Sequence, residues 1–519
     1  MGDVPLTIAG LLQRNAKDHG DVPALISDTA RLSWAELDER SRQCAAALVD
    51  RGVRRRTRVG LLAPNGLDWA VIAFAALRIG AVLVPLSTLL KAPELEQQLR
   101  IARVERLVLA GEVRGRRLHE EFAALLPVEG ERAALLPALR SAWRMDDVVS
   151  WAAAEPIAGQ VALALEDRTR PADDLCVMFT SGSRGTPKGV IHTHGNALRA
   201  VAASLDARCV RPGERLYIPM PFFWMGGFGS GLLTVLVAGA SLLTESAPTP
   251  ESTLALLERE RATLFRGWPD QAAALARHPQ AASTDLSALR PGSLDAVLPP
   301  DLRAKPGARA NLFGMTETFG PYAGYALDAD MPESAWGSCG QPFDGVSVRI
   351  TSTDDGSPLP VGETGEVEVR GVNVMRGICG RSREEVFTKD GWFRTGDLGN
   401  LDADGFLFSS GRVDDMVKVK GATVYPSEVE SALATIPHVT RAFVTDLDGP
   451  GGAKQVGAAV VPDAADALSV DDVIAAAKQR LSAFKVPTVV RILAPGADVP
   501  RSPTGKVDKP ALQALLTIE

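Results

Sequence analysis

"MFTSGSRGTPKGVIHTHGN", residues 178–196, is the stretch on which the fold reading turns. It continues the apolar run of residues 175–179, which reads as a buried strand. A strand that ends in a Gly/Ser/Thr loop leaves backbone N–H groups pointing outward, and such groups make a ready anion cradle. Lys188 adds a compact positive charge suited to phosphate. The Walker spacing G-x-x-x-x-G-K-[ST] cannot be laid on these residues. By itself the loop is open to two readings, a Gly-rich surface turn or a phosphate-holding loop.

Outward from this loop, apolar runs such as residues 81–86 alternate with amphipathic helical stretches, the pattern of α/β layers. "LSWAELDERSRQCAAALV", residues 32–49, opens with Ser33 and Glu36 at capping-box spacing and then turns helical. After Gly411 the texture changes. Residues 416–420, 442–445 and 456–461 read as strands. "PSEVESALATI" repeats the capping signal with Ser427 and Glu430, and residues 470–482 read as a second helix. A boundary near Arg412 leaves a large domain, 1–412, and a small α/β domain, 413–519, of about 100 residues.

Composition narrows the class. The 519 residues are 46% hydrophobic and 23% charged, ordinary for a globular protein, and the net charge of -7 gives no reason to expect nucleic acid or an anionic membrane. Apolar runs such as residues 231–243 are too short to span a bilayer, and Arg78 interrupts residues 69–86. The N-terminus carries Asp3 and lacks the basic start of a secretory signal. Cys44, Cys176, Cys209, Cys339 and Cys379 are isolated, which argues against a disulfide framework or a zinc site and leads us to expect the reducing cytoplasm.

Further motifs follow in order: "NLFGMTETFG" (311–320), "GWFRTGDLG" (391–399), "GRVDDMVKVKGATVYPSEVE" (411–430) and "PRSPTGKVDKPAL" (500–512). With the opening loop this series closely resembles the adenylate-forming superfamily, which includes acyl-CoA synthetases, peptide-synthetase adenylation domains and luciferases. The resemblance covers nearly the whole chain. It implies a large N-terminal α/β domain with a small mobile C-terminal α/β domain, and a reaction in two halves. A carboxylate and ATP first give an acyl-adenylate and pyrophosphate; a thiol then displaces AMP.

The resemblance also assigns residues. Thr180, Ser181, Gly182, Ser183, Arg184, Gly185 and Lys188 form the phosphate loop. Lys506 brings positive charge to the α-phosphate as negative charge gathers there. Thr316 matches the phosphate-side hydroxyl and Glu317 the carboxylate that binds Mg²⁺, a hard cation that shares its oxygen ligands with nucleotide phosphates. Asn311, Phe313 and Gly314 match the adenine side, Asp397 the acceptor of the ribose hydroxyls, and Arg412 the basic residue beside the ribose. Asp414 matches the hinge about which the small domain swings. Lys418, Lys420, Gly421 and Ala422 match the loop lining the pantetheine tunnel of coenzyme A, where glycine permits close backbone approach. Trp224, Gly226, Gly227 and Phe228, together with Leu294 and Asp295, fall at the acyl pocket, as does Met225. His192 and His194 have no Asp or Cys at ligand spacing and read as structural.

Three positions depart from the family pattern. Trp224 stands where many acyl- and aryl-CoA ligases carry a His that gates the channels. Arg184 replaces a small hydroxyl residue of the phosphate loop. "SLDAVLPPD", residues 293–301, replaces a Gly-Gly-Ala-Pro turn, so that Leu294 and Asp295 put side chains where glycines leave room. The expected function is acyl-CoA ligation of a hydrophobic carboxylic acid, because residues 219–227 hold no Asp of the kind that amino-acid-activating domains use for an α-ammonium. Acyl loading onto a carrier protein, a thioester-forming half that accepts a preformed acyl-AMP, and a nucleotide- or acyl-binding regulator stay open as alternatives. No nucleic-acid partner is expected.

Overall fold

The run read as a strand is one. In the computed structural model Asp174–Thr180 (β1) is paired antiparallel with Lys188–Thr193 (β2), in a register that sets Thr180 opposite Lys188 and Val177 opposite Ile191. The structure describes all residues except 1–4, 126–134, 152–155, 181–186, 414–416, 420–421, 425, 450–453, 482–484, 502–506 and 518–519, together with the side chains of 124, 270, 417, 418, 422 and 423.

The hairpin lies inside a seven-stranded sheet in the order Gly377–Ile378, β2, β1, Val82–Leu86, Arg58–Leu62, Arg106–Leu109, Ser141–Arg144. Val82–Leu86 runs parallel to β1 and is buried along its whole length, as expected of a parallel strand covered on both faces. A second sheet has the order Leu264–Phe265, Arg215–Tyr217, Ser241–Leu243, Pro23–Ile26, Arg31–Ser33. Both belong to one packed unit, Met1–Ser347 with Val369–Phe393.

Four helices of this unit are joined by a buried charge: α1 (Ile8–His19), α2 (Trp34–Asp50), α3 (Leu67–Arg78) and α4 (Pro156–Arg168). The capping box expected for α2 forms, with Ser33 Oγ accepting from Glu36 N at 3.2 Å and Glu36 Oε2 accepting from Ser33 N at 2.8 Å. Arg78, the residue that interrupts an apolar run, is fully buried at the end of α3. Its Nε is 2.6 Å from Glu166 on α4, its Nη2 2.9 Å from Asp38 on α2, and its Nη1 donates to Ser41 at 2.7 Å. Gln13 of α1 donates to the same Glu166 at 2.5 Å.

Val348–Glu368 and Arg394–Glu519 make the second unit, so packing assigns residues 348–368 and 394–412, expected within the large domain, to the C-terminal side. Those residues are strands of one four-stranded sheet, ordered Val346–Thr351, Gly365–Gly371, Phe393–Leu401 (β5) and Leu407–Arg412 (β6), and β5 and β6 pair antiparallel. The expected strands are present as Val417–Val419, Val439–Asp448 and Lys454–Pro462.

Three expectations for this region are corrected. The helix Pro426–Ala434 starts one residue before Ser427, because proline suits the first turn of a helix, where its missing N–H is not needed. Ser427 Oγ instead donates to Ser410 O, and Glu430 accepts from Val444 N at 2.8 Å. The second helix, Val470–Lys478, ends before 482: Gln479 and Arg480 donate three residues back, tightening the last turn. A strand, Val489–Ile492, and a third helix, Lys509–Thr517, lie outside the elements read from the sequence; the four-residue strand is too short to give a clear period.

Candidate active site

The pairing of Thr180 with Lys188 closes the stem of the proposed phosphate loop. Ser181, Gly182, Ser183, Arg184 and Gly185 lie outside the described residues. Lys188 is half-buried at the first position of β2.

β2 leads into helix α5 (His194–Ala203), whose capping box uses Thr193 and Asn196. Asn196 Oδ1 accepts from Thr193 N at 2.6 Å, which fixes the amide orientation, and Asn196 Nδ2 then donates to Asn373 O at 3.1 Å and to His192 Nδ1 at 2.8 Å. His192 Nδ1 is therefore the acceptor, and its Nε2–H donates to Thr316 O at 2.8 Å. Burial holds His192 neutral, with its pKa pushed down to about 4 against the opposing hydrogen bonds of Thr316 and Asn196. The expectation of a structural His192 therefore acquires content: the ring holds the carbonyl of the residue assigned to the phosphate side. His194 is also fully buried and pushed down to about 4, and its ring nitrogens have no hydrogen-bond partner among the described residues.

Residues 373–379 strap these parts together. Met375 N donates to Glu317 O at 2.8 Å, Arg376 N to Ile191 O at 2.9 Å, and Cys379 N to Gly189 O at 2.8 Å. Sequence reasoning missed Asn196 and this strap; the spacing of His192 and Asn196 across the start of α5 is the signal that could have found the first.

Thr316 and Glu317 sit in a short 3₁₀ turn between Phe313–Met315 (β3) and Gly320–Gly324 (β4), which pair antiparallel. Gly314 is required by this pairing, because a Cβ there would overlap Gly320 O and the Pro321 backbone. Phe313 is half-buried with its ring edge-on to Tyr322 at 5.6 Å, and Asn311 is exposed. Glu317 is 9% exposed. No group of three or more His, Cys, Asp or Glu side chains able to hold a metal exists among the described residues. A lone carboxylate fits Mg²⁺ only where phosphate oxygens complete the shell, and that is the chemistry Glu317 offers.

In the acyl segment, Trp224 is half-buried, edge-on to Phe223 at 5.4 Å and to Trp268 at 6.1 Å. Gly226 and Gly227 abut Met220 and Pro221, where a Cβ would overlap the Met220 sulfur or the Pro221 carbonyl. Phe228, expected at the pocket wall, has no exposed surface: its ring packs on Trp69 and Phe319. Leu294 N donates to Phe265 O at 3.1 Å and its side chain packs on the core formed with Phe265 and Leu298. Asp295 is exposed, and its Oδ1 accepts from Ala304 N at 3.4 Å.

In the second unit Asp397 on β5 and Arg412 on β6 are register partners, and Arg412 Nη1 donates to Asp397 Oδ1 at 2.7 Å and to Thr395 O at 3.0 Å. Asp397 is 14% exposed and Arg412 41%, so the carboxylate is held from one side by a cation that still reaches solvent. Asp414, Lys420, Gly421 and Lys506, with the side chains of Lys418 and Ala422, lie outside the described residues. All five cysteines are free. No helix among the described residues is long and apolar enough to cross a membrane.

Comparison with known proteins bears on this arrangement. A family described as AMP-binding enzyme matches residues 12–379, and one described as AMP-binding enzyme C-terminal domain matches residues 428–506. Feruloyl-CoA synthase of Amycolatopsis sp is 34% identical over 488 residues, with 92% of each chain covered. Indoleacetate--CoA ligase of Aromatoleum aromaticum is 30% identical over 503 residues, with 93% of each chain covered. Among solved structures, ATP-bound MatB from Rhodopseudomonas palustris matches with a TM-score of 0.80 at 26% identity, covering 98% of both chains.

Proposed function

The chain belongs to the AMP-binding enzyme family, and on that premise we propose that it is an ATP-dependent, AMP-forming acyl-CoA ligase acting in the cytoplasm on a hydrophobic carboxylic acid. The observation that carries the reading is the extent of the likeness: relatives named for CoA-ester formation from aromatic acids align over 92% or more of the chain, both family regions included.

ATP, when bound, supplies the electrophilic α-phosphorus and pyrophosphate as the leaving group. The loop from Thr180 to Lys188 receives the phosphates with backbone N–H groups and one ammonium. Thr316 offers a hydroxyl on the phosphate side, held in place through its carbonyl by His192, and Glu317 is the protein ligand of Mg²⁺. Asp397 accepts from the ribose hydroxyls while Arg412 orients its carboxylate. Lys506 meets the charge that develops on the phosphoryl group. In the second half the segment 418–422 borders the thiol, and Asp414 is the pivot between the two halves.

The test is pyrophosphate release and thioester formation with ATP, CoA and a panel of aryl and alkyl acids. Thioester formed with CoA at a rate far above that with a phosphopantetheinylated carrier protein is the expected result. Absence of pyrophosphate release with every acid, alongside thioester formation from synthetic acyl-AMP, would limit the enzyme to its second half.

A further inference from the structure

Arg208 follows helix α5 and is 8% exposed. Its Nε donates to Ser204 Oγ at 2.9 Å, while Ser204 Oγ in turn donates to Ala200 O at 3.0 Å, so the guanidinium is oriented by a buried hydroxyl. No carboxylate lies within ion-pair distance of Arg208 among the described residues, and neither terminal nitrogen has a hydrogen-bond acceptor there. The nearby acids are engaged elsewhere: Arg290 holds Glu214 at 2.7 Å and Asp328 at 3.5 Å. A second cation, Arg266, donates through Nη2 to the Arg208 carbonyl at 2.7 Å. Burial first, and then the charge of Arg266, push Arg208 down to about 9, and burial pushes Arg266 down to about 10; both stay cationic at neutral pH. An uncompensated buried cation is costly to keep unless something anionic meets it.

The pair lies where two acyl-side segments meet. Arg208 Nη2 is 3.7 Å from the position a Cβ would take at Gly320, whose neighbour Phe319 touches Gly229 of the segment that follows Trp224. Arg266 Nη2 is 3.2 Å from the Cβ position at Gly292, two residues before Leu294. Trp268, two residues after Arg266, is the ring that meets Trp224. Gly292 and Gly320 have φ of +95° and +100°, a backbone state in which a side chain is strained, and they leave bare backbone beside both guanidinium groups.

Resting on the ligase reading above, we propose that Arg208 is a specificity-determining residue that receives a second carboxylate at the remote end of the acid, with Arg266 as its positioning residue. The substrate class is then a dicarboxylic acid with an apolar body: one carboxylate is activated and the other is held in the planar fork of Arg208.

The experiment compares matched acids, adipate with hexanoate, suberate with octanoate, and terephthalate with benzoate, in CoA-thioester formation, and measures melting temperature with suberate alone. The wild type should favour the diacid of each pair. Arg208→Gln should lower the diacid-to-monoacid ratio of kcat/KM by about a hundredfold, mostly through KM, as expected when one partner of a buried charge pair is removed. Arg208→Lys should recover part of that ratio, and suberate should raise the melting temperature of the wild type but not of Arg208→Gln. If Arg208→Gln fails to fold, Arg266→Gln must lower the same ratio. Preference for monoacids by the wild type, or an unchanged ratio in a folded variant, overturns the proposal while leaving the ligase reading standing. Stabilisation by suberate through Arg208, with no thioester from either series and none from synthetic acyl-AMP, overturns the ligase reading and keeps the anion site.

Discussion

His192 Nε2 lies 2.8 Å from the carbonyl oxygen of Thr316, 124 residues further along the chain, and that one hydrogen bond joins the strand leaving the phosphate loop to the turn carrying Thr316 and Glu317. Because Asn196 donates to the other ring nitrogen, the ring has one tautomer and one orientation.

His192→Ala should therefore leave the Thr316 carbonyl and the Asn196 amide without partners and open a cavity. We expect a stability loss of about 2–3 kcal/mol and a fall in kcat that exceeds any change in KM for the acid. His192→Gln, whose amide N–H can reach the same carbonyl, should restore much of kcat. Steady-state kinetics on the two variants checks this, and equal activity of the alanine variant and wild type would remove the positioning role.

The two buried histidines also set a pH dependence. Unfolded, each takes a proton near its ordinary value of 6.5; folded, not until about 4. Between these values the unfolded chain binds more protons, so stability falls as pH falls from 6.5 towards 4, by on the order of 3 kcal/mol per histidine across the whole window. Urea midpoints at successive pH values should drop less steeply in His192→Gln than in the wild type between pH 6.5 and 5. Parallel curves would show that His192 titrates alike in both states.

Arg78→Met should be among the most damaging single changes, because it strands the carboxylates of Asp38 and Glu166 in the interior. The expected loss is about 3–5 kcal/mol, read from denaturant melts. Adding Asp38→Asn and Glu166→Gln should return part of it; a triple variant no better than Arg78→Met would contradict the charge argument.

Asp397→Asn should raise KM for ATP at least tenfold with little change in melting temperature. The Arg412–Asp397 pair reaches solvent on the arginine side, and pairs of that kind add about 1 kcal/mol or less to stability. A large drop in melting temperature with unchanged KM would make the pair structural instead.

Lys506→Ala should reduce acyl-adenylate formation by about two orders of magnitude or more, the loss expected when a charge aimed at a transition state is removed, and leave thioester formation from supplied acyl-AMP nearly intact. Equal loss in both half-reactions would argue against a role confined to the first.

The parts of this architecture that were legible from sequence are those where local chemistry and packing agree. The strand before the loop, the Ser33–Glu36 capping box and the strands Val439–Asp448 and Lys454–Pro462 follow from short-range patterns. Ser427 misled because a cap-like residue lay one position after a proline that already starts the helix. Phe228 could not be placed by spacing, since whether an aromatic ring faces a pocket or stands behind another ring depends on Trp69 and Phe319, both distant in sequence. Arg208 was invisible for the same reason: its meaning lies in the carboxylates that do not reach it.

The strap at 373–379 acts as a ruler graduated in peptide units. It grips Gly189, Ile191 and Glu317 through main-chain N–H groups, and its own Arg376 side chain is exposed. Asn373, Met375 and Ile378 anchor it by burial, and one inserted or deleted residue would shift every grip at once. The separation between the stem of the loop and the turn carrying Glu317 is thus set by main-chain contacts, whatever side chains flank them.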